Sequence, residues 1–130
     1  MGQPLLQSER NAGLFIDVLR SYVAAGKFTV HDFVVMPDHV HLQMTLDRTM
    51  SIEKAMQLIK GGFSFRLKKE FGYLGEVWQR GFSEVRVDNR GSFLAYREYI
   101  EQNPVKAGLA RTPEEFPYSS AYLRKQKRRG

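Results

Sequence analysis

The chain has 130 residues, enough for one domain with its own core, and its 42% hydrophobic and 26% charged residues are ordinary for a folded protein. Without cysteine it has no disulfide scaffold, thiol nucleophile or thiolate metal site, and no apolar run approaches the roughly 20 residues that cross a bilayer. Lys and Arg number 20 against 14 Asp and Glu, giving a net charge of +6 and a pI near 9.7, which biases the partners toward polyanions and nucleic acid first.

The opening MGQPLLQSER lacks the basic-then-apolar layout of an export signal. Residues 8–25 predict an amphipathic helix, with Ser8 as N-cap, Leu14, Phe15, Val18, Leu19, Tyr22 and Val23 on one stripe, and Gly26 as terminator. Residues 27–46 change period: Phe28 to Met36 is β-rich, Pro37-Asp38 is turn chemistry and Val40 to Leu46 alternates, a hairpin. Ser51 caps a second helix reaching about Phe71, weakened at Gly61-Gly62 and studded with Lys54, Lys60, Arg66, Lys68 and Lys69. After glycines 72 and 75, residues 81–87 predict a third strand. A third helix starts near Ser92 and is expected to stop or bend at Asn103-Pro104. No repeat or linker divides the chain, so residues 1–123 form a single domain, followed by a mobile basic tail over 124–130.

Within the hairpin, alternation puts Val40, Leu42, Met44 and Leu46 on a buried face and His39, His41, Gln43 and Thr45 on the other. Two imidazoles two residues apart on a strand can lean toward one divalent ion. The plain alternative is a polar strand face with no ligand role. A histidine-triad nucleotide hydrolase would need a third alternating histidine where Gln43 stands.

On the third helix, Phe93, Tyr96 and Ile100 have core spacing, while Tyr99 and Asn103 share another face. A phenol beside an amide offers a nucleophile and a neutral oxygen ligand. The plain alternative is a tyrosine that buries its ring and exposes its hydroxyl, with Asn103 ending the helix.

The runs Met36-Pro37-Asp38-His39-Val40-His41 and Tyr99-Ile100-Glu101-Gln102-Asn103-Pro104-Val105-Lys106-Ala107-Gly108-Leu109 together resemble the single-tyrosine transposases of the insertion-sequence 200 type, within the His-hydrophobic-His endonuclease class. The likeness is closest to the REP-associated tyrosine transposases. Trp78-Gln79-Arg80-Gly81-Phe82 and Phe116-Pro117-Tyr118-Ser119-Ser120 add to it.

The resemblance implies an α+β, ferredoxin-like sandwich with an antiparallel sheet covered by helices on one face. It implies that His39, His41 and Asn103 hold Mg²⁺ or Mn²⁺, and that Tyr99 attacks hairpin-bearing single-stranded DNA to leave a 5′-phosphotyrosine and a free 3′-hydroxyl. Phosphate contacts are expected from Lys60, Arg66, Lys68, Lys69, Arg80, Arg86, Arg124, Lys125, Lys127 and Arg128. Tyr73, Trp78 and Phe82 are candidates for stacking on bases, or for plain core. A homodimer is one of two arrangements the resemblance allows, the other being a monomer. No membrane is involved, and the expected location is the cytoplasm of a bacterial cell, with the nucleoid reached through DNA.

Family members open with a strand ahead of the first helix, whereas this sequence reaches that helix at Ser8. The expected sheet therefore lacks that strand, through truncation, through a segment supplied by a partner, or as a three-stranded form. Two other readings stand beside the transferase: a non-catalytic nucleic-acid-binding domain that keeps the fold, and a metallohydrolase of small phosphate esters.

Overall fold

The computed structural model describes residues 5–75, 77, 83–87 and 92–129, with 83–87 and 129 described in their backbone alone. The order of elements is a 3-10 turn at Leu5–Gln7, α1 (Glu9–Ala24), β1 (Thr29–Val35), β2 (Val40–Thr45), α2 (Ile52–Phe71), β3 (Ser83–Val87), α3 (Phe93–Lys106), a second 3-10 turn at Pro113–Glu115, and α4 (Ser120–Arg129). The α+β class and the sequence helix, strand, strand, helix, strand, helix are borne out.

Local signals act as predicted at both cap positions. Ser8 Oγ accepts from Asn11 N at 3.2 Å and Ser51 Oγ from Lys54 N at 3.1 Å, each satisfying a helix N–H that has no partner within the helix. Beyond α1 and α2 the backbone turns left-handed at Gly26 (φ 75°) and Gly72 (φ 67°), a conformation that only glycine adopts without strain.

β1 and β2 form the expected antiparallel hairpin, with His41 opposite Val34 and Gln43 opposite Asp32. The register slips between Val30 and Asp32, leaving His31 as the extra residue of a β-bulge. The bulge resets the alternation, so Val30 packs with Phe33 and Val35 on one face while Asp32 faces the other with Val34. β3 lies beside β2 and parallel to it, so the sheet is mixed rather than wholly antiparallel. A helical crossover, here α2, is the usual way of joining parallel neighbours.

The main core lies between α1, α2 and one sheet face: Leu14, Phe15, Val18 and Leu19 meet Val40, Leu42 and Met44, with Ile59, Phe63 and Leu67 alongside. Helices were expected on this face alone, but α3 covers the other one. Val34 and Met36 of that face need apolar cover, and Tyr96 and Ile100 supply it, with Phe116 completing the cluster. His41 and Gln43, expected on a polar outer face, are buried for the same reason.

Two further expectations are corrected. α3 runs through Pro104 to Lys106, because a proline near the end of a helix removes only one N–H and its ring here is buried. Residues 124–129, expected to be a mobile tail, are turns of α4. Ser119 Oγ caps that helix by accepting from Tyr122 N at 3.2 Å, and Arg124 ties it to the sheet.

The outer edge of β1 is occupied. Val35 N donates to Tyr118 O at 2.8 Å, and Ser120 Oγ accepts from Phe33 N and donates to Phe33 O. Among the described residues, no helix is long and apolar enough to cross a membrane.

Candidate active site

The strand that carries the histidines is held at its mouth by the start of the chain. Leu6 N donates to Pro37 O at 2.9 Å, Asn11 Nδ2 donates to Leu5 O, and Met36 N donates to His39 O across the turn. The Asp38 carboxylate therefore sits beside its neighbour's ring, with Oδ1 2.7 Å from His39 Nδ1. A carboxylate accepting from Nδ1 places the proton there, and in the neutral ring this leaves Nε2 with its lone pair, the arrangement found behind metal-ligating histidines. Sequence reasoning assigned Asp38 only to the turn; its place directly before His39 is the signal that points to this role.

The rings of His39 and His41 stand 4.8 Å apart, centroid to centroid. Two imidazoles bound side by side to one ion at N–metal distances of about 2.1 Å have centroids roughly 4.5–5 Å apart, so the separation of this pair is compatible with a shared divalent cation. Among the described residues, no three His, Asp or Glu side chains stand together at metal-binding spacing. A cation held by this pair would therefore need oxygen donors of another kind, such as an amide, water or substrate phosphate. Asn103 is half-buried on α3, one turn beyond Tyr99.

α3 brings the tyrosine to the histidines. The Tyr99 ring meets His41 edge-on at 5.3 Å with an interplanar angle of 90°, and Tyr96 stacks on Tyr99 at 5.6 Å and 10°. Tyr96 is buried, as its spacing predicted, whereas Tyr99 is 43% exposed and open to a large substrate. A shallow depression of about 200 Å³, lined by Ser92, Ala95, Tyr96 and Tyr99, lies beside the ring.

The basic residues do not form one surface. Lys60, Arg66, Lys68 and Lys69 lie on α2, across the sheet from Tyr99. Arg66 is engaged by Glu70 at 2.6 Å and Asp17 at 3.4 Å, and the hydrogen bond to Glu70 is the chief reason its pKa is raised further. Lys68 and Lys69 are exposed, the latter over the Phe65 ring.

On α4, Lys125 is half-buried while Lys127 and Arg128 are exposed. Arg124 is instead turned inward, its guanidinium on Asp32, Glu101 and His31 O. Tyr73 is half-buried against the main core. Arg80, Trp78 and Phe82 lie outside the described residues, and Arg86 is described only as backbone of β3.

Sequence reasoning missed one cluster next to the site. Asp32 is fully buried and receives Gln43 Nε2 at 2.9 Å, Arg97 Nε at 3.0 Å and the Arg124 guanidinium. An acid inside a β-rich run was the available signal, because a carboxylate in a buried strand requires cationic partners.

Residues 4–103 match the family described as transposase, IS200-like. The chain is 27% identical over 135 residues to a Haemophilus influenzae protein named as a REP-associated tyrosine transposase, covering 89% of this chain and 76% of that one. It is 29% identical over 99 residues to the REP-associated tyrosine transposase of Escherichia coli K12, covering 72% of this chain and 54% of the relative. No solved structure gives a significant match. With the family match spanning most of its length, and with the histidine pair and Tyr99 meeting on one face of the sheet, the chain belongs to the IS200-like transposase family.

Proposed function

We propose that the protein is a metal-dependent DNA strand transferase of the REP-associated kind, acting on hairpin-bearing single-stranded DNA through Tyr99. The observation that carries this reading is the edge-on contact of Tyr99 with His41, itself paired with His39. In the proposed reaction the Tyr99 Oη attacks the scissile phosphorus. The Oη–P bond forms as the P–O3′ bond breaks, the phenol proton is lost, and the leaving 3′ oxygen takes up a proton. The 5′-phosphotyrosine keeps the phosphodiester energy, so rejoining by a 3′-hydroxyl needs no ATP.

His39 and His41 would hold the divalent cation, with Asn103 as a third donor. Nitrogen ligands suit Mn²⁺ better than Mg²⁺, which prefers an all-oxygen shell. When bound, the cation supplies charge to the phosphate oxygens and fixes their orientation. Asp38 keeps the His39 ring turned, and the stacked Tyr96 limits the swing of the Tyr99 ring. Lys127 and Arg128, exposed on α4, are the proposed phosphate contacts.

The test is a denaturing gel of the protein with labelled hairpin DNA from repeats flanking its own gene, run with Mn²⁺, with EDTA and with Tyr99→Phe. A slow-migrating adduct that requires both metal and Tyr99 is expected. Clear binding to the same DNA without any adduct would replace the transferase by a nucleic-acid-binding domain that keeps the fold.

A further inference from the structure

α3 touches the sheet along two stripes. Tyr96 and Ile100 form the apolar stripe. Phe93, Arg97 and Glu101, four residues apart, form a second stripe, and each is fastened to the same polar centre. Gln43 Nε2 donates both to Phe93 O at 3.3 Å and to Asp32 Oδ2 at 2.9 Å. Arg97 Nε donates to Asp32 Oδ1 at 3.0 Å, with its guanidinium over the Phe93 ring at 4.8 Å. Glu101 is reached through Arg124, which also binds Asp32 Oδ1.

The centre of this arrangement is an acid with 0% exposure, aligned with Gln43 by the bulge at His31. Gln43 is two residues from His41 on the same strand face. One carboxylate thus links the strand that carries the histidines to three successive turns of the helix that carries Tyr99.

Apolar packing alone leaves a helix free to roll slightly on its sheet. Arg97 and Tyr99 are two residues apart, so they project about 160° apart around the axis, and rolling one way moves the other. At the roughly 5–6 Å radius of helix side chains, a roll of about 10° displaces a side-chain tip by about 1 Å. Displacements of that size cost about 100-fold in rate when a nucleophile must be aligned. A buried ion pair contributes little net stability compared with apolar residues of the same volume, whereas its directionality is something apolar contacts lack.

We propose that Asp32 is a positioning residue that locks the roll of α3 and thereby sets where Tyr99 stands over His41, with Arg97 as its principal lever. The consequence for rate rests on Tyr99 being the nucleophile; the lock itself does not.

The experiment uses the full chain as Arg97→Met, which keeps the packing and leaves Arg124 on Asp32, and as Arg97→Lys, which restores a cationic donor. The NMR signals of the His41 ring protons report the ring current of Tyr99, and Tyr99→Leu marks their position when that ring is gone. In Arg97→Met the His41 signals are expected to move toward those of Tyr99→Leu, and in Arg97→Lys to return.

Single-turnover adduct formation at saturating hairpin DNA and Mn²⁺ should fall about 10- to 100-fold in Arg97→Met, with the DNA concentration for half-saturation unchanged. Asp32→Asn should move both readouts the same way. His41 signals in folded Arg97→Met that coincide with wild type would overturn the proposal. A wild-type protein that forms no adduct would instead remove the role of Tyr99, and the His41 signals would still decide on the lock.

Discussion

His41 on β2 and Tyr99 on α3 meet edge to face at 5.3 Å within one chain. With Tyr99 as the proposed nucleophile, this contact predicts a reaction completed within a single protomer. Mixing His41→Ala with Tyr99→Phe should therefore give no adduct with hairpin DNA, although each variant keeps half of the site. Recovery of adduct in the mixture, read on a denaturing gel, would mean that tyrosine and histidines come from different chains.

The two adjacent glycines of α2 should respond oppositely to alanine. A Cβ on Gly61 meets nothing within 4 Å, so Gly61→Ala should stabilise by up to about 1 kcal/mol through helix propensity. A Cβ on Gly62 would stand 2.5 Å from Tyr22 Oη, where α1 crosses α2. Gly62→Ala should be less stable than Gly61→Ala by about 1–3 kcal/mol in urea denaturation. Adding Tyr22→Phe, which removes the nearest atom, should recover part of the difference.

The basic residues of α4 divide into two kinds. Arg124→Met removes charge-assisted hydrogen bonds to Asp32 and Glu101 and should cost about 1.5–3 kcal/mol of stability. Lys127→Gln and Arg128→Gln should leave stability within about 0.5 kcal/mol of wild type. Each should instead flatten the salt dependence of single-stranded DNA binding by about 0.7 in log–log slope. Urea melts and a salt titration of binding would separate the two kinds.

Asp47 has its pKa lowered below 3.8, first by the hydrogen bond from the Thr49 hydroxyl and then by that from Thr49 N. A depressed carboxylate contributes stability that is present above its unfolded pKa and is lost as pH falls through its folded value. The contribution should therefore disappear below pH 3.8. In Thr49→Ala the Asp47 carboxyl resonance should titrate closer to 3.8, as followed by NMR.

Much of this was legible in the sequence because it is local. Ser8 and Ser51 cap as their positions predict, and the alternation from Val40 to Met44 places the hairpin's apolar face correctly. His39, His41 and Tyr99 stand out through spacing, though spacing alone did not bring them together. What was hidden depends on distant partners. Asp32 is joined to Arg97 and Arg124 across 65 and 92 residues. The burial of His41 and Gln43 follows from α3 packing on a face that strand alternation alone marks as polar. The last turns read as a loose tail because their composition is basic, yet Arg124 and the Ser119 cap hold them as a helix.

The segment from Tyr118 to Ser120 has a wider effect. By giving the backbone groups of Phe33 and Val35 partners from the same chain, it closes one margin of the sheet to newcomers. Among the described residues, the edge left for a strand from a second molecule to extend the sheet is that of β3. Any assembly of copies through β1 would first have to peel away the segment that leads into α4, so self-association and loss of that helix become a single event.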